Sequence, residues 1–271
     1  LYLFANLLIF PHISRMKLTM ILLAGLLSFG ASAYGKTDSL LVMFWNVENF
    51  FDYHSDAKPR YWTSRRFYSK CNAVAKTILK IADSKGRIPD AIGFAEIENE
   101  YVVRSILNST SLRKLDYRIV HHESHDHRGI DCALICRRST LPLGESSPKH
   151  LYDSTGNILP TRDILLAQFD SLVILVNHHP SKVGGKEDAR DVAMQRMLAI
   201  ADSVAFCGHE RILAIGDFND DLWRQKGVGS IKYNGGWELI DRALVSPSVL
   251  EDCGPSAAPS MTVFDAAFLT T

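Results

Sequence analysis

The sequence has no excess of either charge: 30 Lys and Arg stand against 30 Asp and Glu. Such a chain has no global field to steer it onto an anionic polymer. A strongly basic nucleic-acid clamp is thereby excluded, and only a local basic patch remains open. Cysteines are few and odd in number, five in all, with no C-x-x-C spacing. A disulfide framework and a zinc ribbon are therefore excluded. Cys132 and Cys136 fall in an apolar run, on one face if it is extended, and read as buried thiols. No apolar run approaches the about 20 residues that a bilayer span requires. Repeats, low-complexity tracts and linker-like stretches are absent. What is present is 46% apolar and 22% charged, the balance of a folded globular domain and not of a disordered or collagenous chain. With 271 residues the chain can bury a full core in one large domain.

The beginning of the chain reads as a leader. Met16 and Lys17 precede the apolar run Leu18 to Leu27, and Ala31-Ser32-Ala33 follows. A positive start, a short apolar core and an A-x-A site are the pattern of a cleaved secretory signal peptide. Residues 1–33 are accordingly expected to be upstream sequence plus signal, and 34–271 the folded domain, exported to the periplasm or secreted. A membrane anchor is the competing reading, and the run is short for it.

Periodicity predicts a mixed α/β domain. Buried strands are expected at Leu40–Trp45, Ala91–Ala95, Ile130–Arg137, Ile164–Phe169, Leu172–Asn177 and Arg211–Ile215, with a further strand at Tyr117–Val120. One-sided apolar spacing predicts helices over Ser64–Asp83 and Glu187–Phe206, and a short one over Asn99–Asn108. Asn234-Gly235-Gly236 signals a hairpin, with one strand, Trp237–Val245, after it.

Polar residues recur where these apolar strands stop. The run ending at Trp45 leads into Asn46 and Glu48, and the run ending at Ala95 into Glu96. The run ending at Val176 leads into Asn177 and His178, and the run ending at Gly216 into Asp217 and Asn219. Any one of these is more often a turn residue or a helix cap. Four strand ends with the same pattern point instead to side chains held by the core and converging on one cleft. Carboxylate and amide oxygens without clustered thiols suit a hard cation such as Mg²⁺ or Mn²⁺. Asp217 to Asp221 also resembles the start of a calcium loop, but Leu222 and Val228 stand where that loop needs Gly and Glu.

Taken in order, these segments resemble the endonuclease/exonuclease/phosphatase superfamily, the DNase I-like metal-dependent phosphoesterases. Trp45-Asn46-Val47-Glu48 is similar to its opening motif and Phe94-Ala95-Glu96 to its second. Arg128-Gly129-Ile130-Asp131 resembles an R-G-x-[DG] segment, Asn177-His178-His179-Pro180-Ser181 an N-H-W-P-S segment, and Gly216-Asp217-Phe218-Asn219 the G-D-F-N motif. The resemblance implies a four-layer α/β sandwich, two packed sheets flanked by helices. It implies Mg²⁺ or Mn²⁺ on Glu96, with Glu48. It implies Asn46 and Asn219 at the scissile phosphate or the metal shell, and Asp217 on the attacking water. His178 is implied as a hydrogen-bond donor to the phosphate or a proton donor to the leaving oxygen. It implies Arg128 and Asp131 in the cleft wall, with Asp131 among the catalytic residues and Arg128 and Asn177 binding substrate.

The family's last strand follows an Asp-His motif, and no His occurs after His209. The final strand is therefore expected to be missing and this chain catalytically impaired, as a fragment or as a degenerate member that binds without turnover. Lys182 opens a basic Gly-Gly loop that suits substrate phosphates. Cations and aromatics mix over Lys58–Tyr68, as either a base-stacking surface or the first turn of a helix. His121, His122, His125 and His127 form a cluster that suits either a transition metal or a mobile polar loop. The expected substrate is a phosphodiester, DNA or RNA, met by a monomer. A phosphatase, a phospholipase and a non-catalytic phosphoester-binding protein are the alternatives.

Overall fold

The structure is a computed structural model that describes residues 26–28, 39–54, 59, 62–182, 187–220, 230–233, 236–253 and 262–264. The elements in chain order are β1 (Leu26–Ser28), β2 (Ser39–Phe50), α1 (Ser64–Lys85), β3 (Ala91–Ile97), α2 (Glu100–Asn108), a 3-10 turn (Ser111–Lys114), β4 (Tyr117–His121), β5 (Asp131–Arg137), β6 (Leu143–Lys149), β7 (Ile164–Phe169), β8 (Val173–His178), α3 (Glu187–Phe206), β9 (Ile212–Asp217), β10 (Ile231–Tyr233), β11 (Gly236–Glu238), β12 (Asp241–Val245) and α4 (Pro247–Cys253). Two five-stranded sheets form, in the orders β1-β2-β3-β5-β4 and β12-β9-β8-β7-β6. Each is mixed, with one parallel pair, β2/β3 in the first and β8/β9 in the second.

Strand alternation makes the layers. Phe44, Cys132 and Leu134 from the first sheet meet Leu165, Ile174, Val176 and Ile215 from the second in a dry inter-sheet core. The opposite face of the first sheet, with Met43, Ile92, Phe94 and Ile135, packs on Phe67, Cys71, Val74 and Ile78 of α1 and Val102 and Ile106 of α2. The opposite face of the second, with Leu166, Val173, Leu175 and Ala214, packs on Ala193, Met197 and Ile200 of α3. The result is a four-layer α/β sandwich. Thr63 caps α1 by accepting from the Arg66 N–H, and Gly86 closes it in the left-handed conformation at φ 66°.

The structure departs from the expected elements at particular places. The reading Trp237–Val245 breaks at Leu239-Ile240: β11 pairs with β10, whereas β12 joins the second sheet beside β9. The hairpin residues Asn234 and Gly235 themselves lie outside the described residues. The strand β6, Leu-Gly-Glu-Ser-Ser-Pro-Lys, carries no apolar run; it lies at the sheet edge, where Pro148 is tolerated. The strand β2 runs on to Phe50, past a register shift between Asn46 and Phe50. At one edge of the first sheet, Leu26–Ser28 pairs with Ser39–Leu41. The rest of the expected leader lies outside the described residues, and cleavage after Ala33 would leave β2 as that edge. Among the described residues no helix is long and apolar enough to cross a membrane.

Candidate active site at the meeting of two sheets

The parallel pairs are joined by helical crossovers, β2-α1-β3 and β8-α3-β9. Ligand clefts in such units form beyond the carboxyl ends of the strands. Here the carboxyl ends of both units converge. A cleft of about 330 Å³ is lined by Asn46, Glu48, Asn49, Glu96 and Arg128 from the first half of the chain. His178, Asp217, Asn219, Ser230 and Asp241 line it from the second.

The backbone turns sharply here. Glu48 (φ 54°), Asn49 (φ 47°), Glu96 (φ 63°) and Asn219 (φ 49°) all adopt left-handed conformations. These conformations are unfavourable for residues with a Cβ, and they cluster where surrounding contacts hold side chains in a functional orientation. The contacts are present. The Glu48 N–H donates to Asn46 Oδ1 at 2.9 Å, the Asn49 N–H to Glu96 Oε2 at 2.7 Å, and the Asn219 N–H to Asp217 Oδ1 at 3.0 Å.

Asn46 ties the sheets together. Its Nδ2 donates to Glu96 Oε1 at 3.4 Å and to Asp217 Oδ2 at 3.2 Å. His178 Nε2 stands 3.8 Å from Glu96 Oε1 and 3.9 Å from Asp217 Oδ2, beyond hydrogen-bond length but inside one shared pocket. Glu48 and Glu96 both act electrostatically on Lys70, whose Nζ donates to the Glu48 carbonyl at 2.7 Å. Burial brings the Lys70 ammonium down to about 8 against the pull of those two acids. Its Nζ also lies 4.7 Å from the centre of the Phe50 ring.

Burial governs the acids. Asp217 is pushed up to about 6, chiefly by desolvation, with the Asn46 hydrogen bond acting the other way. Asp241 is raised well above the ordinary carboxylate range, by burial first and by Asp217 second. His178 is lowered well below 6.5 by burial, and the nearby guanidinium groups of Arg162 and Arg128 add to this, so its imidazole is held neutral.

The expected site residues divide into two groups. Asn46, Glu48, Glu96, Arg128, His178, Asp217 and Asn219 share the cleft. Asn177, expected to bind substrate, does not: it is fully buried, and its Nδ2 donates to the Leu175 and Ile215 carbonyls at 3.1 and 3.3 Å. Side chains alternate along a strand, so Asn177 points into the sheet where His178 points out. Asp131, expected in the cleft wall, is likewise buried away from it, accepting from the Ser124 N–H at 3.0 Å with His121 Nε2 at 3.4 Å. Lys182 lines a neighbouring cleft beside His179 and Phe218, and pairs with Glu238 at 2.9 Å. The cation-aromatic segment resolves partly into helix packing, with Phe67 in the core and the Trp62 indole donating to the Phe51 carbonyl at 2.8 Å. Lys58, Arg60 and Tyr61 lie outside the described residues, as do the positions where the terminal Asp-His motif would be sought.

Three buried residues were not foreseen. Asp241 opens β12 directly opposite Asp217; an acid at the start of an apolar strand was its only signal. Arg162 pairs with Asp126 at 3.1 Å and donates to the His179 carbonyl at 2.7 Å. That carbonyl also accepts from Asn219 Nδ2 at 3.0 Å, so a buried ion pair braces the turn beneath the cleft. No local pattern marks Arg162 or Asp126, because their meeting is long-range.

The sequence model of the Endonuclease/Exonuclease/phosphatase family matches residues 41–225. No curated protein matches the chain. Among solved structures, an endonuclease/exonuclease/phosphatase family protein from Bacteroides thetaiotaomicron superposes with a TM-score of 0.52 at 13% identity, over 77% of this chain and 83% of that one. The human Nocturnin catalytic domain with bound sulfate gives 0.51 at 16% identity, over 76% and 82%. TDP2 from Caenorhabditis elegans gives 0.51 at 15% identity, over 76% of this chain and 63% of that longer one. At these identities the likeness is one of fold.

Proposed function

The chain belongs to the Endonuclease/Exonuclease/phosphatase family, and on that premise we propose that it is a divalent-metal-dependent hydrolase of phosphodiester bonds, with DNA or RNA as substrate. One observation carries the reading. Glu96 of the first sheet and Asp217 of the second share a single amide nitrogen, that of Asn46, in a cleft that also holds Glu48 and Asp241.

The donor set fits a hard cation. It is built of carboxylate and amide oxygens without thiols. Burial raises Asp217 to about 6 and Asp241 well above the ordinary carboxylate range, with Asp217 adding to the latter, and Asp241 Oδ1 is buried without a partner. Glu96 and Glu48 would hold the ion. A bound Mg²⁺ or Mn²⁺ supplies charge neutralisation on the phosphoryl oxygens. The remaining work falls to the chain. Asp217 accepts a hydrogen bond from the attacking water and orients it. The neutral His178 imidazole donates an N–H to a phosphate oxygen, the role that its lowered proton affinity favours over acid catalysis. Asn46 keeps the two carboxylates at a fixed separation, and Arg128 offers a guanidinium to a second phosphate oxygen.

Plasmid DNA, an RNA oligonucleotide and a generic aryl phosphodiester are the test substrates, each with Mg²⁺, Mn²⁺ or EDTA. Cleavage that requires the cation and falls at least about 100-fold in Glu96→Gln supports the reading. Turnover indifferent to Glu96→Gln overturns it, as does oligonucleotide binding without turnover under every condition. We extend the proposal to an exported monomer whose amino terminus is Tyr34. N-terminal sequencing and light scattering of the protein recovered outside the cytoplasm test that part.

A further inference from the structure

We propose that His125, His150 and Asp163 form a second metal site, taking a divalent transition-metal ion of the zinc type and separate from the cleft at the strand ends. One ligand atom from each residue can be chosen so that all lie within 4.8 Å of one another. His150 Nδ1 is 2.9 Å from Asp163 Oδ2, and the His125 ring stands edge-on to the His150 ring with centroids 5.2 Å apart. None of the three lines the cleft.

The chemistry differs from that of the cleft. Two imidazoles and one carboxylate are borderline donors that suit Zn²⁺ and its neighbours, whereas the cleft is dominated by hard oxygens. The carboxylate is incompletely satisfied: Asp163 is only 6% exposed, and its Oδ1 is buried with no hydrogen-bond partner. The His150 hydrogen bond satisfies only the other oxygen. Burial accordingly raises the Asp163 carboxyl above its ordinary range, although His150 and His125 both act to lower it. A cation beside Oδ1 would supply the missing partner.

The fold preorganises the set. Lys149 of β6 pairs with Ile164 of β7, so His150 and Asp163, one position beyond each, sit side by side on neighbouring strands. His125 arrives from the β4–β5 segment, which His122 pins to β6 through a 3.0 Å contact between its Nε2 and Ser146 Oγ. His125 is exposed, which leaves the ion a path in. The adjacent set His121, Glu123 and Asp131 offers one imidazole and two acids, a poorer match for the same ion.

The test uses the full, untagged chain, stripped with a chelator and titrated with Zn²⁺ by calorimetry in excess Mg²⁺. One Zn²⁺ per chain is expected, with a rise in Tm. His125→Ala and His150→Ala should each weaken binding by more than about 100-fold, beyond what loss of a supporting partner usually costs. Glu96→Gln should leave it unchanged. His125 is an exposed loop residue, so His125→Ala decides the matter even if His150→Ala fails to fold. Absence of Zn²⁺ binding, binding indifferent to both histidine changes, or binding lost in Glu96→Gln or His121→Ala alone would overturn the proposal. A failure here leaves the phosphodiester reading untouched, since neither histidine contributes to the cleft.

Discussion

Asp217 and Asp241 stand directly opposite each other on the antiparallel strands β9 and β12, both buried and both at the cleft wall. Acids crowded in one low-dielectric pocket cannot all ionise cheaply: burial raises both, Asp217 then pushes Asp241 further up, and Glu96 does the same to Asp217. A group whose folded pKa is raised above its unfolded value erodes stability as pH climbs from the unfolded toward the folded pKa.

The Asp241→Asn variant should therefore be more stable than the parent in EDTA, by about 1 kcal/mol at neutral pH, a typical gain for a single stabilising substitution. The gain should shrink as pH falls and vanish below about pH 3, where the parent residue is protonated in both states. Mg²⁺ or Mn²⁺ should raise the Tm of the parent more than that of the variant, and hydrolysis should weaken in the variant. Urea unfolding with and without the cation checks this. A variant less stable than the parent in EDTA contradicts it.

The glycine of the G-D-F-N motif has a steric role. A Cβ on Gly216 would lie 2.3 Å from the Asn177 carbonyl oxygen and 2.6 Å from the Asn177 Cβ, atoms of the adjoining strand that cannot swing away. Gly216→Ala should cost about 3 kcal/mol, the upper range for overpacking, and should separate His178 from Asp217. Thermal unfolding measures the first effect and loss of turnover the second. A variant with parental Tm would show that the strands are not so closely apposed.

His179 is buried and lowered to about 3, mainly by desolvation, with Arg162 and Arg242 adding to it. Below pH 6.5 the unfolded chain takes up a proton that the folded one refuses. Stability should thus fall between pH 6.5 and about 3, by at most about 1.4 kcal/mol per pH unit for this one proton. Replacing His179 with Gln should flatten that acid limb by one proton, while the contributions of His178 and of the raised Asp217 and Asp241 stay common to both proteins. Denaturant midpoints at pH 7, 6, 5 and 4 (test conditions spanning the ordinary His range) give the slopes, and identical slopes would refute the assignment.

The thiols should divide by burial. Burial pushes Cys71 up to about 12 and Cys136 up to about 11, and raises Cys132 further, whereas Cys207 is exposed. Iodoacetamide on the native protein should modify Cys207 and spare the other three until denaturant is added. Peptide mapping at these four positions reads the outcome, and native-state labelling of Cys132 would count against the inter-sheet core.

Much of this arrangement was legible in the chain because strand ends announce themselves. An apolar run that stops at an acid or amide marks both the strand and the point where its backbone leaves the sheet, which located Asn46, Glu96, His178 and Asp217. The pattern fails where two polar residues are adjacent: Asn177 and His178 look equivalent in sequence, and only the phase of the strand sends one inward. It fails again for edge strands such as β6, which need no apolar run. It is silent about Arg162 and Asp126, whose significance arises from a contact between residues 36 positions apart.

Because Asn46 and Glu96 come from one sheet and His178 and Asp217 from the other, neither half of the polypeptide carries the whole cleft by itself. During synthesis the amino-terminal half emerges with only its own share of the lining, and the cleft exists only once the later strands have docked. An assembled cleft is thus a readout of completed folding, and any lesion that parts the two sheets dismantles it without altering one residue of its lining.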